Sequence, residues 1–346
     1  VHVPWCVRKC PYCDFNSHEA PAALPESAYV AALLRDLEQE MEGVQQRRLC
    51  SIFFGGGTPS LLSPEAIHTL LENSRRLIGW EEDIELTLEA NPGAVDAQKF
   101  IGFRAAGINR LSIGVQSFDD RRLQALGRVH SAADAMRAFS RARAAGFENI
   151  NLDLMYGLPR QDATQAMTDL QTAIGLEPEH VSWYELTLEP NTEFYKRPPK
   201  LPSEPVLESI ESGGRARLQQ AGYSRYEISA FARLGEKSQH NSNYWQFGDY
   251  IGIGAGAHSK VSTPDANRIR RSWKTRMPLD YMARNHCQVA GKRDLNAAQL
   301  PLEFMMNVLR LSAGGRLRRR VRREIFPFGS IATFAFVATG VPAPPV

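Results

Sequence analysis

The sequence predicts an α/β protein, a partial (β/α)6 barrel followed by a smaller C-terminal α+β region. Three observations support this. Short apolar runs alternate with helix-patterned stretches from residue 51 to 221, and strands alternating with helices argue for right-handed βαβ units and a parallel sheet. Counting VHV at the start as a strand gives about six such units, too few for the eight of a closed barrel. Beyond about residue 230 the rhythm changes to QHNSNYWQFGDYIGIGAGAHS, rich in glycine and aromatics.

Taken in order, VHV opens a strand that runs into three cysteines, Cys6, Cys10 and Cys13. SIFFGGGTPS reads as a buried strand ending in a glycine-rich loop. Ser63 then serves as an N-cap and Pro64 opens a helix, with Ile67, Leu70 and Leu71 on one face. The pattern continues with strand 84–93, helix 96–106, strand 110–118, and helices around 119–126 and 132–145. Strand 149–159, helix 163–175, strand 180–190 and helix 203–221 complete it. The expected organisation is a barrel over 1–230, a smaller region over 231–311 closing the barrel mouth, and an atypical tail over 312–346.

With 346 residues, 43% apolar and 23% charged, the chain has ordinary globular composition. No apolar run approaches eighteen residues, so no membrane-spanning helix is expected. Residues 1–5 lack the pattern of a secretory leader. Five cysteines with three clustered do not make a secreted disulfide framework, and a thiol-reducing cytoplasm fits better. The net charge of +3 is misleading. Residues 312–346 hold six Arg and one Glu, leaving 35 basic against 37 acidic residues in the body, a balance of −2. No nucleic-acid partner is expected from such a body.

The conspicuous polar motifs all fall at the carboxyl ends of predicted strands, where parallel α/β folds bind ligands. These are the cysteines after the first strand, GGGTP after the second, Glu89 after the third, Gln116 after the fourth and Asp153 in the fifth. Thiolates at this spacing can wrap one soft-metal centre. Zinc completed by His2 or His18 is one reading. The other is an iron–sulfur cluster, usually held by four cysteines. Cys50 and Cys287 are not local, so three ligands would leave one iron open to an exogenous group.

The C-x3-C-x2-C spacing, with Tyr12 before the last cysteine, resembles the radical S-adenosylmethionine family. The resemblance implies that Cys6, Cys10 and Cys13 hold a 4Fe–4S cluster whose fourth iron is chelated by the methionine group. Reductive cleavage then yields a 5′-deoxyadenosyl radical. Gly55-Gly56-Gly57-Thr58-Pro59 matches the family loop that meets the methionine amino group; glycines let backbone approach a ligand closely, although a tight turn would also use them. The order HVPWC, GGGTPS, EANPG, GVQSF, GRxH, DLMYGLP, over roughly residues 1–311, is similar to the oxygen-independent coproporphyrinogen III oxidase-like branch. That similarity implies S-adenosylmethionine contacts at Tyr12, Gly56, Gly57, Thr58, Glu89, Gln116, Arg128 and Asp153. A structural cap or ion pair is the alternative for each polar side chain, and a turn-stabilising carboxylate for Glu89. The aromatic that relatives carry before the first strand would precede Val1.

Oxidases of this branch decarboxylate propionate side chains and carry a fourth cysteine two residues after the third. Here that position is Phe15. The sequence resembles instead the HemW-type haem chaperones, which implies haem binding, delivery to acceptor proteins, some of them membrane-bound, and an electron donor. His240, Asn241, Tyr244 and Trp245 match the H-N-x-x-Y-W motif associated with haem in that subfamily. A neutral imidazole is a common iron ligand and aromatics can pack on a porphyrin, though a hydrogen-bonded loop histidine is the plainer reading. His258 is a lesser candidate. The oxidase and a fold without a cluster are the competing readings, and peripheral membrane association stays open. The similarity stops near Leu311. Six arginines within 316–323 and an apolar, proline-rich end follow, as a shifted frame or truncation would produce, while a solvated charge run or a lipid-binding segment is the alternative.

Overall fold

The computed structural model describes residues 1–314 apart from 45, 264–267 and 297, so the expectation for the basic tail lies almost entirely outside the described residues. Six parallel strands carry the architecture: β1 (His2–Val3), β2 (Leu49–Gly56), β3 (Trp80–Ala90), β4 (Arg110–Gln116), β5 (Asn149–Tyr156) and β6 (His180–Glu185). They pair in sequence order. Two short antiparallel strands, β7 (Ser224–Arg225) and β8 (Ala230–Ala232), extend the sheet beyond β6, giving the order β1-β2-β3-β4-β5-β6-β8-β7.

Helices cross over between the strands. They are α1 (Glu26–Val44), α2 (Pro64–Leu77), α3 (Ala97–Ala105), α4 (Asp120–Ala125), α5 (Ala132–Ala144), α6 (Ala163–Gly175), the short α7 (Glu193–Lys196), and α8 (Glu204–Gln220). Local chemistry sets their starts. Ser63 caps α2 by accepting from Ala66 N–H, and capping boxes open α5 (Ser131, Asp134) and α6 (Asp162, Gln165). Helix α1 has no counterpart among the elements read from the sequence.

The sheet is two-faced. Ile52 and Phe54, Leu86 and Leu88, Leu111 and Ile113, Ile150 and Leu152, and Val181 alternate along the strands and pack under the helices as the core. The intervening residues are mostly polar: Glu85, Thr87 and Glu89; Arg110 and Ser112; Asn149, Asn151 and Asp153; His180, Ser182 and Tyr184. Successive strand residues point to opposite faces, so these line the inside of the curved sheet. A parallel sheet covered on both faces has nearly continuous apolar strands. This one encloses a polar interior instead.

After β8 come α9 (Gln239–Trp245), a three-stranded antiparallel sheet of β9 (His258–Ser262), β10 (Ile269–Lys274) and β11 (Val289–Leu295), α10 (Pro278–Ala283), and α11 (Leu300–Val308). Ile269, Leu295, Leu300, Phe304 and Val308 form a second small core. The segment before β9 lies along the free edge of β1, where His2 N–H donates to Ile253 O at 2.8 Å. No described helix is long and apolar enough to cross a membrane.

Candidate cofactor site at the barrel mouth

The cysteine loop leaves β1 and is closed by a two-residue parallel bridge of Trp5–Cys6 with His18–Glu19. Its turns are internally bonded: Cys13 N–H to Cys10 O at 3.2 Å, Ser17 N–H to Phe15 O at 2.7 Å, and Lys9 Nζ to both Phe15 O and Ser17 O at 3.2 Å. All three thiols are free and half-buried. Burial pushes those of Cys6 and Cys13 above the usual thiol range. Arg128 points Nη1 at Cys10 Sγ from 3.7 Å, and its Nη2 donates to Gly114 O at 2.8 Å. Among the described residues no three His, Cys, Asp or Glu side chains converge on a point that could hold one metal ion. A zinc ion would bind about 2.3 Å from each sulfur, with a histidine completing its tetrahedron. His2, one candidate to complete it, is engaged at Nε2 with Asn16 O at 2.9 Å.

The glycine motif begins within β2 rather than after it, since the strand runs through Gly56. Gly57 N–H donates to Val3 O and Thr58 N–H to Trp5 O, both at 2.7 Å. A Cβ on Gly57 would meet Trp5 O at 2.5 Å, and Gly56 sits at φ +113° against the His2 ring. Glycine is therefore required by close backbone approach at one position and by conformation at the other. Buried Thr58 also places its hydroxyl on the Cys6 thiol.

Glu89 and Asp153 reach into the same interior. Glu89 accepts from Gly56 N–H at 3.2 Å, and its carboxyl is pushed up to about 8 by burial and then by the charge of Asp153. Burial raises Asp153 too, opposed by bonds from Ser112 (2.9 Å) and Asn151 (2.8 Å). Gln116 is buried at the end of β4 in a left-handed conformation, φ 67°, and accepts from the Tyr184 hydroxyl at 2.8 Å. Such strain is common at ligand sites. Tyr12 packs among Leu126, Met155, Leu158 and Leu186, below the loop. The structure thus brings Cys6, Cys10, Cys13, Tyr12, Gly56, Gly57, Thr58, Glu89, Gln116, Arg128 and Asp153 around one mouth.

Helix α9 lies elsewhere. Its first turn is held by Glu85 on β3, which accepts from Ser238 Oγ (3.1 Å), Gln239 N–H (2.8 Å) and His240 N–H (3.1 Å). Glu85 lies four residues before Glu89 on the same face of β3, so the first turn of α9 sits towards the amino-terminal ends of the barrel strands, away from the mouth. The His240 ring stacks on Phe53 of β2 at 4.5 Å, and burial pulls its imidazole down to about 4. Asn241 approaches the Tyr226 hydroxyl. Tyr244 and Trp245 pack against each other, Tyr244 also against Tyr250, while Arg310 covers the Trp245 ring at 4.3 Å and leaves the buried indole N–H without a partner. His258 is exposed on β9, opposite Trp273.

Several interior residues were not singled out from the sequence. Tyr184 holds Gln116. His130, its imidazole pulled down to about 4 by burial and Arg128, bonds Val115 O at 3.0 Å beside that guanidinium. Ser112, Asn151 and His180 form a chain under Asp153, with His180 Nδ1 to Asn151 Oδ1 at 2.6 Å and Nε2 to the Tyr226 hydroxyl at 2.8 Å. The alternation of polar and apolar residues in RLSIGVQ, NINLDLMY and HVSWYE is the signal that could have found Ser112, Asn151, His180 and Tyr184; His130 lies in a loop and carries no such signal.

Comparison with known proteins agrees with this geometry. The family model "Radical SAM superfamily" matches residues 1–171. The chain is 50% identical over 311 residues to "Heme chaperone HemW" of Escherichia coli, covering 90% of this chain and 82% of that protein. The protein of the same name from Haemophilus influenzae is 49% identical over 315 residues, with the same coverage. The solved structure of coproporphyrinogen III oxidase (HemN) from Escherichia coli shares the fold, with a TM-score of 0.76 at 22% identity over 89% of this chain and 74% of that one. The chain therefore belongs to the HemW heme chaperone family, within the radical SAM superfamily.

Proposed function

We propose that this protein binds haem and hands it to acceptor proteins, and that it carries a 4Fe–4S cluster and S-adenosylmethionine at the barrel mouth. The observation that carries the reading is the 50% identity to a haem chaperone over 90% of the chain. The donor set suits the two cofactors. Three free, half-buried thiols on one loop fit a cluster with an open iron. The carboxyls of Glu89 and Asp153, both raised by burial and the first also by the charge of the second, fit a ligand that brings amino and hydroxyl donors. In this arrangement Cys6, Cys10 and Cys13 hold the cluster, the GGGTP backbone and Glu89 receive the methionine end, and Gln116, Arg128 and Asp153 orient the remainder. Together the bound cofactors supply one-electron reductive chemistry at the mouth.

Helix α9 is the proposed haem element. Its neutral imidazole and the unpartnered Trp245 indole beside Tyr244 are groups a porphyrin can use. The partners are haem, acceptor proteins that include membrane-bound ones, and an electron donor, in the cytoplasm or at its membrane surface. Oxidase activity is the second reading, and Phe15 weighs against it: a ring 57% exposed stands where an oxidase has another thiol. Anaerobically reconstituted protein is expected to bind haem stably by absorption, to lose that binding on His240→Ala and to keep it on Cys13→Ala. Conversion of coproporphyrinogen III to protoporphyrinogen at enzymatic rates, given reductant and S-adenosylmethionine, would overturn the assignment.

A further inference from the structure

A cavity of about 420 Å³ opens on the outer side of the cysteine loop, within the size range of small-molecule sites. Three segments wall it: residues 13–18 of the loop with Lys9, residues 189–191 after β6, and Arg276 from the turn after β10. Of the three clustered cysteines only Cys13 reaches it; Cys10 faces Arg128 on the barrel side. The cavity therefore adjoins the cofactor mouth and shares Cys13 with it.

Its walls are chemically divided. Lys9 Nζ lies against the carbonyls of Phe15 and Ser17, and Asn16 Nδ2 donates to the backbone carbonyl of Arg276 at 2.9 Å, which ties the Arg276 main chain to the loop; both residues line the cavity. The Arg276 guanidinium is exposed and has no hydrogen-bond or ion-pair partner among the described residues. His18, on the same wall, keeps a buried Nε2 without a partner. Among the acids, Glu189 stands on the facing segment with Oε1 held by the Thr187 hydroxyl at 2.7 Å, and Asp14 lies exposed at the rim. The Phe15 ring is 57% exposed and, just outside, Met277 and Leu279 are 51% and 72% exposed. Two cations beside bare apolar surface suit a ligand that is flat and apolar with carboxylates on one edge.

We propose that this cavity seats the carboxylate edge of a tetrapyrrole, with Arg276 and Lys9 taking the carboxylates and Phe15 lying against the macrocycle. The inference rests on the haem-carrier reading and adds a subsite at the mouth, separate from α9. It gives Phe15 a role of its own: the residue that replaces an oxidase cysteine becomes a wall for the cargo.

Iron-free protoporphyrin IX and its dimethyl ester are the probes, because neither needs an axial ligand. Each is titrated by absorption into the reconstituted full chain. Wild type is expected to bind the free acid about tenfold more tightly than the ester, the scale of one charge-assisted hydrogen bond. Arg276→Gln should cut that ratio to about threefold or less, Arg276→Lys should fall between, and Phe15→Ala should weaken acid and ester alike. Cluster absorption and S-adenosylmethionine affinity should match wild type in each variant. An unchanged ratio in Arg276→Gln, with haem binding intact, overturns the subsite alone. Loss of S-adenosylmethionine affinity in that variant overturns it too, by assigning Arg276 to the cofactor's own carboxylate. Failure of wild type to bind either haem or protoporphyrin overturns the haem-carrier reading with it.

Discussion

Gly57 shows how little room the mouth leaves. A methyl there would press on three backbone atoms of Trp5, at 2.5, 2.8 and 2.9 Å, and backbone cannot rotate aside as a side chain can. Gly57→Ala should therefore cost about 1–3 kcal/mol, lower the melting temperature, and reduce iron loading, because Trp5 adjoins Cys6. Gly146, with nothing within 4 Å of a Cβ, is no comparable control because its φ is +86°; Gly175, equally open and without that conformation, is the better one, and Gly175→Ala should leave iron loading unchanged. Glu89 gives the second residue-scale prediction. Its carboxyl titrates near 8 in the folded chain against an ordinary value of 4.5. Between those values the folded state keeps a proton that the unfolded state has released. This site's contribution to stability is thus fully present below about pH 4.5 and declines as pH rises towards 8. The stability of wild type minus that of Glu89→Gln, measured by denaturant without S-adenosylmethionine, should fall through that window. A difference that rises instead would rule out the raised carboxyl.

At the scale of elements, the attachment of α9 to the barrel depends on one carboxylate. Glu85 is 6% exposed, accepts three bonds from residues 238–240 and lies 3.8 Å from Arg110. Glu85→Ala strands the guanidinium of Arg110 and the α9 donors together, a loss on the order of 3–5 kcal/mol. Its functional signature should be weaker haem binding with near-normal cluster absorption, since Glu85 lies away from the thiols. Cluster and haem lost in parallel would indicate general unfolding instead. The parallel strands and the barrel helices from α2 to α6 were legible in the sequence because period and capping agree there: Ser63, for example, caps α2 as expected, whereas the long α1 was missed. The limits of β3 were less so. It starts at Trp80 and ends at Ala90 before a short 3-10 turn at Pro92–Ala94, because Asn91 caps that turn through Gly93 N–H. Nor did motif order reveal that the start of α9 is held by β3, since Glu85 and Ser238 are 153 residues apart. The candidate residues at the mouth were legible because the cysteine loop, GGGTP, Glu89 and Gln116 fall at or near strand carboxyl ends, and Arg128, Tyr12 and Asp153 only through the motifs of the family the chain resembles. Their supports, such as His180, sit deeper and belong to no short motif.

Across the whole molecule, a buried polar junction joins the two ends of the described chain. Lys274 of β10 and Asp36 of α1 are both 0% exposed and form an ion pair, which Glu40 extends. Asp36 accepts from the Tyr281 hydroxyl at 2.7 Å and from Gly254 N–H at 3.2 Å, while Tyr29 donates to His2 O at 2.7 Å and accepts from Ala255 N–H at 3.0 Å. Through Asn16, whose side chain donates to Ala255 O and Arg276 O, both at 2.9 Å, the junction reaches the cysteine loop. Asp36 interrupts an otherwise apolar face of Tyr29, Ala32, Leu33 and Leu37, and its partner lies 238 residues away. No local pattern in the sequence could join them. Removing one partner should leave a buried charge uncompensated, so Lys274→Met is expected to cost about 3–5 kcal/mol. Adding Asp36→Asn should restore part of this, because an amide can still accept from Tyr281 and Gly254. Two readouts separate local from global effects. Denaturant unfolding gives the cost, and limited proteolysis under native conditions should show cleavage near 251–257 in Lys274→Met before the barrel is cut. The same variant should lose cluster iron faster in the presence of a chelator, because the loops that carry the Ala255 and Arg276 carbonyls would no longer hold Asn16 in place. Wild-type iron retention together with early cleavage would show that the cysteine loop holds its shape without the C-terminal region.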